Sequence, residues 1–71
     1  MAYQITEETW LTRAKSRIGS VLTAQMAHGQ SYNAAQLIEL IYKTFPDDIY
    51  TQAELITIRD ALVADGVIEI V

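Results

Sequence analysis

Two six-residue stretches of this chain share a pattern that is typical of the start of an α-helix. The sequence YNAAQL occupies residues 32–37, and YTQAEL occupies residues 50–55. In each, an Asn or Thr that can cap a helix is followed three residues later by Gln or Glu, which makes a capping box, and a tyrosine and a leucine are placed to form a hydrophobic staple. A weaker version begins at Thr6, where two glutamates follow the cap and suit the positive end of a helix dipole. The sequence therefore predicts three helices.

The spacing of apolar residues and the stop signals set the predicted bounds of these helices. The first runs from Glu7 to Ala27 or His28, the second from Ala34 to Phe45, and the third from Gln52 to Asp65. Pro46 ends the second helix, and Gly66 supplies a left-handed stop for the third. Because the second helix is apolar on most of its sides, we expect it to be the most buried of the three.

The last five residues, VIEIV at 67–71, favour a β-strand. A strand needs a partner for its backbone groups, and the candidates are residues 2–6, residues 30–32, or the same segment of a second molecule. We expect an internal pairing with residues 2–6 or 30–32 that leaves one edge open. The predicted fold is a single domain over residues 1–71, mainly α, with three helices and a short C-terminal strand.

Size and composition limit the classes of protein to which the chain can belong. A domain of 71 residues has a small core, so a bound partner or self-association is expected to add to its stability. The absence of cysteine excludes disulfides and thiolate zinc sites and favours a reducing compartment. The N-terminal residues lack the pattern of a signal peptide, and the longest uncharged stretch is interrupted by polar residues. These features predict a cytoplasmic protein that does not bind membranes.

Charge is unevenly distributed along the chain. Residues 1–29 hold three basic and two acidic residues, whereas residues 30–71 hold two basic and seven acidic ones. The acidic part would repel a phosphate backbone, and three cations neutralise too few phosphates for useful affinity at physiological salt. The sequence therefore argues against nucleic acid as a partner.

Catalytic and metal-binding patterns are also missing. His28 has no neighbouring hydroxyl or carboxylate that suggests a relay, and it suits the end of the first helix. Asp47, Asp48 and Glu54 could hold a hard cation, but their spacing lacks the alternation of a calcium loop, and turn and dipole chemistry explains them. The prediction is a protein that is not an enzyme, with no cofactor, no metal and no small-molecule substrate.

Two surfaces remain as candidates for binding a protein. The first is the basic face of helix 1, where Arg13, Lys15 and Arg17 would meet carboxylates and Gly19 would permit close helix approach. The second is the edge of the C-terminal strand, which would bind a partner by strand addition. Its residues are Val67, Ile68, Glu69 and Ile70.

The ending IRDALVADGVIEIV resembles the close of a winged-helix domain, in which the third helix leads through a small turn into the wing. The resemblance covers residues 33–71 and implies a winged-helix-like fold. In that family the third helix reads the major groove with basic and amide side chains, whereas here it carries three acidic residues and Arg59.

The function predicted from the sequence is a small interaction module, an accessory or regulatory subunit whose partner is another protein or a second copy of itself. The alternative that the resemblance implies is an acidic winged-helix-type regulator associated with nucleic acid.

Overall fold

The chain forms three α-helices in a computed structural model that describes residues 1–47 and 50–71. Helix α1 spans Glu7–Gln25, α2 spans Ala34–Thr44, and α3 spans Gln52–Ala64. All three predicted helices are confirmed, and each begins at the residue that its capping signal predicts.

The repeated pattern at residues 32–37 and 50–55 forms two capping boxes. Asn33 Oδ1 accepts a hydrogen bond from the Gln36 N–H at 2.9 Å, and Gln36 Oε1 accepts one from the Asn33 N–H at 2.8 Å. Thr51 Oγ1 accepts from the Glu54 N–H at 3.1 Å, and Glu54 Oε1 accepts from the Thr51 N–H at 2.9 Å. Each box satisfies two backbone donors that the helix itself leaves without partners. Thr6 likewise caps α1 with its hydroxyl.

The first helix ends earlier than the sequence predicts. Met26 already has an extended backbone, and the N–H of Ala27 donates to the hydroxyl of Tyr32 at 2.9 Å instead of to a carbonyl of α1. His28 therefore lies in the turn beyond the helix, and the prediction that it belongs to the helix end is wrong. A side chain from the following loop replaces the last helical hydrogen bond, which periodicity alone does not reveal.

The third helix ends in a Schellman motif around Gly66. This glycine has a φ of 76°, its N–H donates to the Val63 carbonyl at 3.1 Å, and the Val67 N–H donates to the Leu62 carbonyl at 3.0 Å. The left-handed conformation favours glycine because it has no Cβ. The predicted stop at Gly66 is confirmed.

Helix α1 is the centre of the packing. The core consists of its Ala14, Ile18 and Leu22 together with Ile41 from α2 and Ile58 and Leu62 from α3. Both α2 and α3 pack against α1, but within the described part of the chain no Cα atom of α2 lies within 8 Å of a Cα atom of α3. The two outer helices are therefore splayed.

The expectation that α2 is the most buried helix is wrong. Of the described α2 residues only Ile41 is buried, whereas five residues of α1 are. The apolar pattern of one helix shows how much of its surface could be buried. How much is buried depends on the helices that pack against it. Because α3 leaves α2 open on one side, several of its apolar residues stay half-exposed.

The predicted C-terminal strand is not confirmed. Residues 1–47 and 50–71 contain no β-strand, and residues 67–71 follow the Schellman turn without ladder hydrogen bonds to residues 2–6 or 30–32. Ile68 packs against the hydrophobic core and holds the start of this segment against the helices. The winged-helix resemblance, which requires a wing at this position, stays a prediction.

Candidate functional site

The splay of α2 and α3 leaves an apolar groove between them, here called the α2/α3 groove. Ile18 and Leu22 of α1 form its floor, Leu37 and Ile38 belong to the α2 side, and Leu55 and Ile56 belong to the α3 side. Ile68 of the C-terminal segment also lines the groove, whose volume is about 170 Å³. Its apolar lining suits apolar side chains of another polypeptide.

The lining of the groove is mostly apolar. Among the described residues that line it, the polar side chains are Gln52 and Arg59, and there is no carboxylate, hydroxyl, thiol or imidazole. The guanidinium of Arg59 donates from Nη2 and Nε to Asp60 Oδ1 at 3.0 and 3.2 Å. The arrangement can bury apolar side chains and pair a carboxylate at its edge, while it offers no nucleophile or proton-transfer group.

The C-terminal segment continues this apolar surface. Val67, Ile70 and Val71 have exposed fractions of 45%, 82% and 90%. Glu69 is exposed between apolar neighbours, and Ile68 is half-buried in the groove. The C-terminal residues that the sequence predicts as a binding edge therefore adjoin the α2/α3 groove, which the sequence did not predict.

The predicted basic face of helix 1 divides into two parts. Lys15 turns toward α3, and its Nζ lies 2.9 Å from Oδ2 of Asp65. Arg17 turns toward α2, with its guanidinium carbon 4.6 Å from the centroid of the Phe45 ring. Arg13 and Arg17 lie together along a shallow exposed surface of α1. Arg13 and Arg17 therefore share one surface of α1, and Lys15 helps to join α1 to the end of α3.

Gly19 has a packing role inside the molecule. It is buried in α1, and a Cβ at this position would lie 3.3 Å from Cδ2 of Leu62. The close helix approach predicted for this glycine is therefore made by α3 of the same chain. A glycine in mid-helix indicates a close packing contact, but the sequence does not specify which helix makes it, and the predicted role of Gly19 in docking a partner stays a prediction.

Of the acidic residues near the start of helix 3, Glu54 has a backbone partner. The Glu54 carboxylate belongs to the capping box, and the part of the chain that the structure describes has no group of three or more potential metal ligands. Asp48, which the sequence places in the same turn, lies outside the described residues.

The groove has a sequence signal that could have revealed it. The second helix carries apolar residues on more sides than one neighbouring helix can cover, and Ile56 lies outside the inward face of the third helix. Together they indicate a surplus of apolar surface on two helices, which is what the structure shows beside the core.

Comparisons with known proteins add no relative. No protein-family model matches the chain, and no curated protein and no solved structure matches it. Among the described residues, none of the helices has both the length and the apolar character that are needed to cross a membrane.

Proposed function

We propose that this protein is a small non-enzymatic interaction module that acts in the cytoplasm as an accessory or regulatory subunit. The observation that carries the proposal is the apolar α2/α3 groove and its continuation into residues 67–71. Contiguous apolar surface of this kind on a small domain is typical of a site that another polypeptide covers.

Two features define what the groove and its surroundings would bind. The apolar lining suits Leu, Ile, Val or aromatic side chains on a helix or an extended segment of the partner. Residues 67–71 favour the β conformation and, apart from Ile68, have exposed side chains, so they can add a strand to an extended partner segment and form the predicted strand in the complex. Arg13 and Arg17 offer a separate surface for carboxylates.

The alternative, a winged-helix-type regulator on nucleic acid, has weaker support. Helix α3 carries acidic side chains, and its Arg59 is already paired with Asp60. We expect no binding of duplex DNA tighter than about 100 μM at about 150 mM salt, because few phosphates can be neutralised. Salt-dependent micromolar binding in a fluorescence anisotropy titration would favour this alternative.

Site-specific photo-crosslinking in living cells tests the proposed function. A photoreactive amino acid at Ile56, in the groove, is compared with one at Glu39, an exposed residue of α2 that does not line it. We expect a discrete adduct from position 56 and none from position 39. The second change Ile38→Lys, across the groove, should abolish the adduct. If position 56 gives no adduct, the groove does not bind a protein and the proposal is wrong.

Charge reversal tests the second surface independently. The double variant Arg13→Glu and Arg17→Glu should reduce adduct formation from position 56 several-fold. Circular dichroism checks that the helix content stays unchanged when the contact of Arg17 with the Phe45 ring is lost. Unchanged adduct formation would remove this face from the binding surface.

A further inference from the structure

We infer that the partner of the α2/α3 groove is a second copy of this chain, which covers the groove and residues 67–71 in a symmetric dimer. This inference rests on the proposed function, since it names the partner of the same surface.

The first argument is the area of exposed surface. The chain exposes 5483 Å², whereas a folded monomer of its mass, 8.0 kDa, exposes about 4,500 Å². The excess, about 1,000 Å², is comparable with the roughly 800 Å² that one subunit buries in an ordinary interface. The radius of gyration of 12.8 Å also exceeds the roughly 11 Å of a compact domain of this length. The exposed residues Met1, Tyr3 and Ile5 contribute to this surplus as well as Val67, Ile70 and Val71, and a dimer contact would bury the part at the groove and at residues 67–71.

The second argument is electrostatic. With a net charge of −4, two copies repel each other unless the contact surface itself is neutral or complementary. The described lining of the groove contains one charged side chain, Arg59, and the adjoining C-terminal segment contains one, Glu69. Their charges are opposite, and Arg59, which donates to Asp60 of its own chain through Nε and Nη2, has Nη1 left to meet Glu69 of the other copy.

Two-fold symmetry makes this complementarity reciprocal. In a two-fold symmetric dimer every contact occurs twice. If one residue of the first copy contacts a different residue of the second copy, the same two residues also make contact with the copies exchanged. Arg59 of each copy would meet Glu69 of the other, and the apolar residues Ile56 and Ile70 would be buried between these two ion pairs. Each subunit would supply a groove, which its own Ile68 helps to line, and the exposed Ile70 that packs against the groove of the other subunit.

The same charges argue against a simpler dimer in which the two C-terminal segments pair with each other. An antiparallel pair of residues 67–71 centred on its own midpoint would place Glu69 directly opposite Glu69 of the other copy. Like charges directly opposite in a strand pair are destabilising. Contact between the segment and the partner's groove avoids this repulsion and uses Arg59 instead.

Sedimentation equilibrium on the whole chain, over a wide range of protein concentration, tests the dimer. We expect a monomer–dimer equilibrium with a dissociation constant in the micromolar range. Ile56→Lys should shift it to monomer, because it places a charge in the apolar contact. The matched control is Tyr3→Lys, at a side chain that is 85% exposed and does not line the groove, and it should leave the constant unchanged.

A charge-swap experiment tests the reciprocal ion pairs. Arg59→Glu and Glu69→Arg alone should each weaken dimerisation about tenfold, since each change turns two attractive contacts into two repulsive ones. The double swap should restore the wild-type constant to within about threefold. Failure of the double swap to restore dimerisation would overturn this pairing and the symmetric arrangement built on it.

The outcomes separate this inference from the proposed function. A wild-type chain that stays monomeric at all concentrations, with a crosslink from position 56 to a different protein, overturns the dimer and leaves the interaction module in place. A dimer that Ile56→Lys does not weaken places the contact elsewhere and overturns the inference. A monomer without any crosslink from position 56 overturns both.

Discussion

Two isoleucines on α3, two residues apart, allow a direct test of the packing. Ile58 is 1% exposed, and Ile56 is 42% exposed. Ile58→Val removes one buried methylene and leaves a small cavity, so it should lower the free energy of unfolding by about 1 kcal/mol. For a domain of this size the melting temperature should fall by roughly 4 to 8 °C. Ile58→Ala should cost about 2 to 5 kcal/mol, which is most of the stability of so small a core, and should leave much of the chain unfolded at room temperature.

The matched control is the same chemical change at the exposed position. Ile56→Val should lower the free energy of unfolding by less than about 0.5 kcal/mol, because the lost methylene lies near solvent. Thermal unfolding of all variants is followed by far-ultraviolet circular dichroism at protein concentrations low enough to keep the chain monomeric. Equal losses for Ile56→Val and Ile58→Val would show that α3 does not present position 58 to the core, and the packing argument would be refuted.

Three further changes test the local structure. Asn33→Ala removes a capping box and should cost about 1 kcal/mol in denaturant unfolding, whereas a loss near zero would mean that the cap contributes nothing. Gly19→Leu forces a side chain against Leu62 and should cost about 1 to 3 kcal/mol by the same measurement, while Ser20→Leu on the exposed neighbouring position should change stability by less than about 0.5 kcal/mol. Similar effects at positions 19 and 20 would contradict the close approach. Gly66→Ala places a Cβ on a left-handed residue and should lower the melting temperature by the equivalent of about 1 to 2 kcal/mol, and an unchanged melting temperature would contradict that conformation.

The starts of the helices could be predicted from the sequence because capping is local. Asn33 and Thr51 are each satisfied by a side chain three residues away, so the hydrogen bonds follow from six-residue patterns. The end of α1 could not be predicted in the same way. It depends on the Tyr32 hydroxyl, which belongs to the loop between α1 and α2.

The candidate site was less predictable because it depends on how helices are placed. Periodicity identifies Leu37 and Ile38 as apolar, but it does not show that α3 leans away from them and leaves them on the side of a groove. The basic face illustrates the same limit. Arg13, Lys15 and Arg17 are close in sequence, yet Lys15 reaches Asp65, fifty residues further along the chain. Contacts of this range require the tertiary structure.

The arrangement in which both outer helices rest on α1 has a consequence for how the domain opens. In the described residues no Cα atom of α2 lies within 8 Å of one in α3, and α2 buries only Ile41 whereas α3 buries Ile58 and Leu62, so we expect α2 to detach while α1 and α3 stay together. Proteins open in such cooperative units, and the amide hydrogens of each unit exchange with solvent at the free energy of its own opening. The amides of α1 should therefore exchange most slowly, with those of α2 well ahead of them. A protein that binds beside α2 would therefore slow the exchange of the α2 amides even if the average structure of the domain stayed the same.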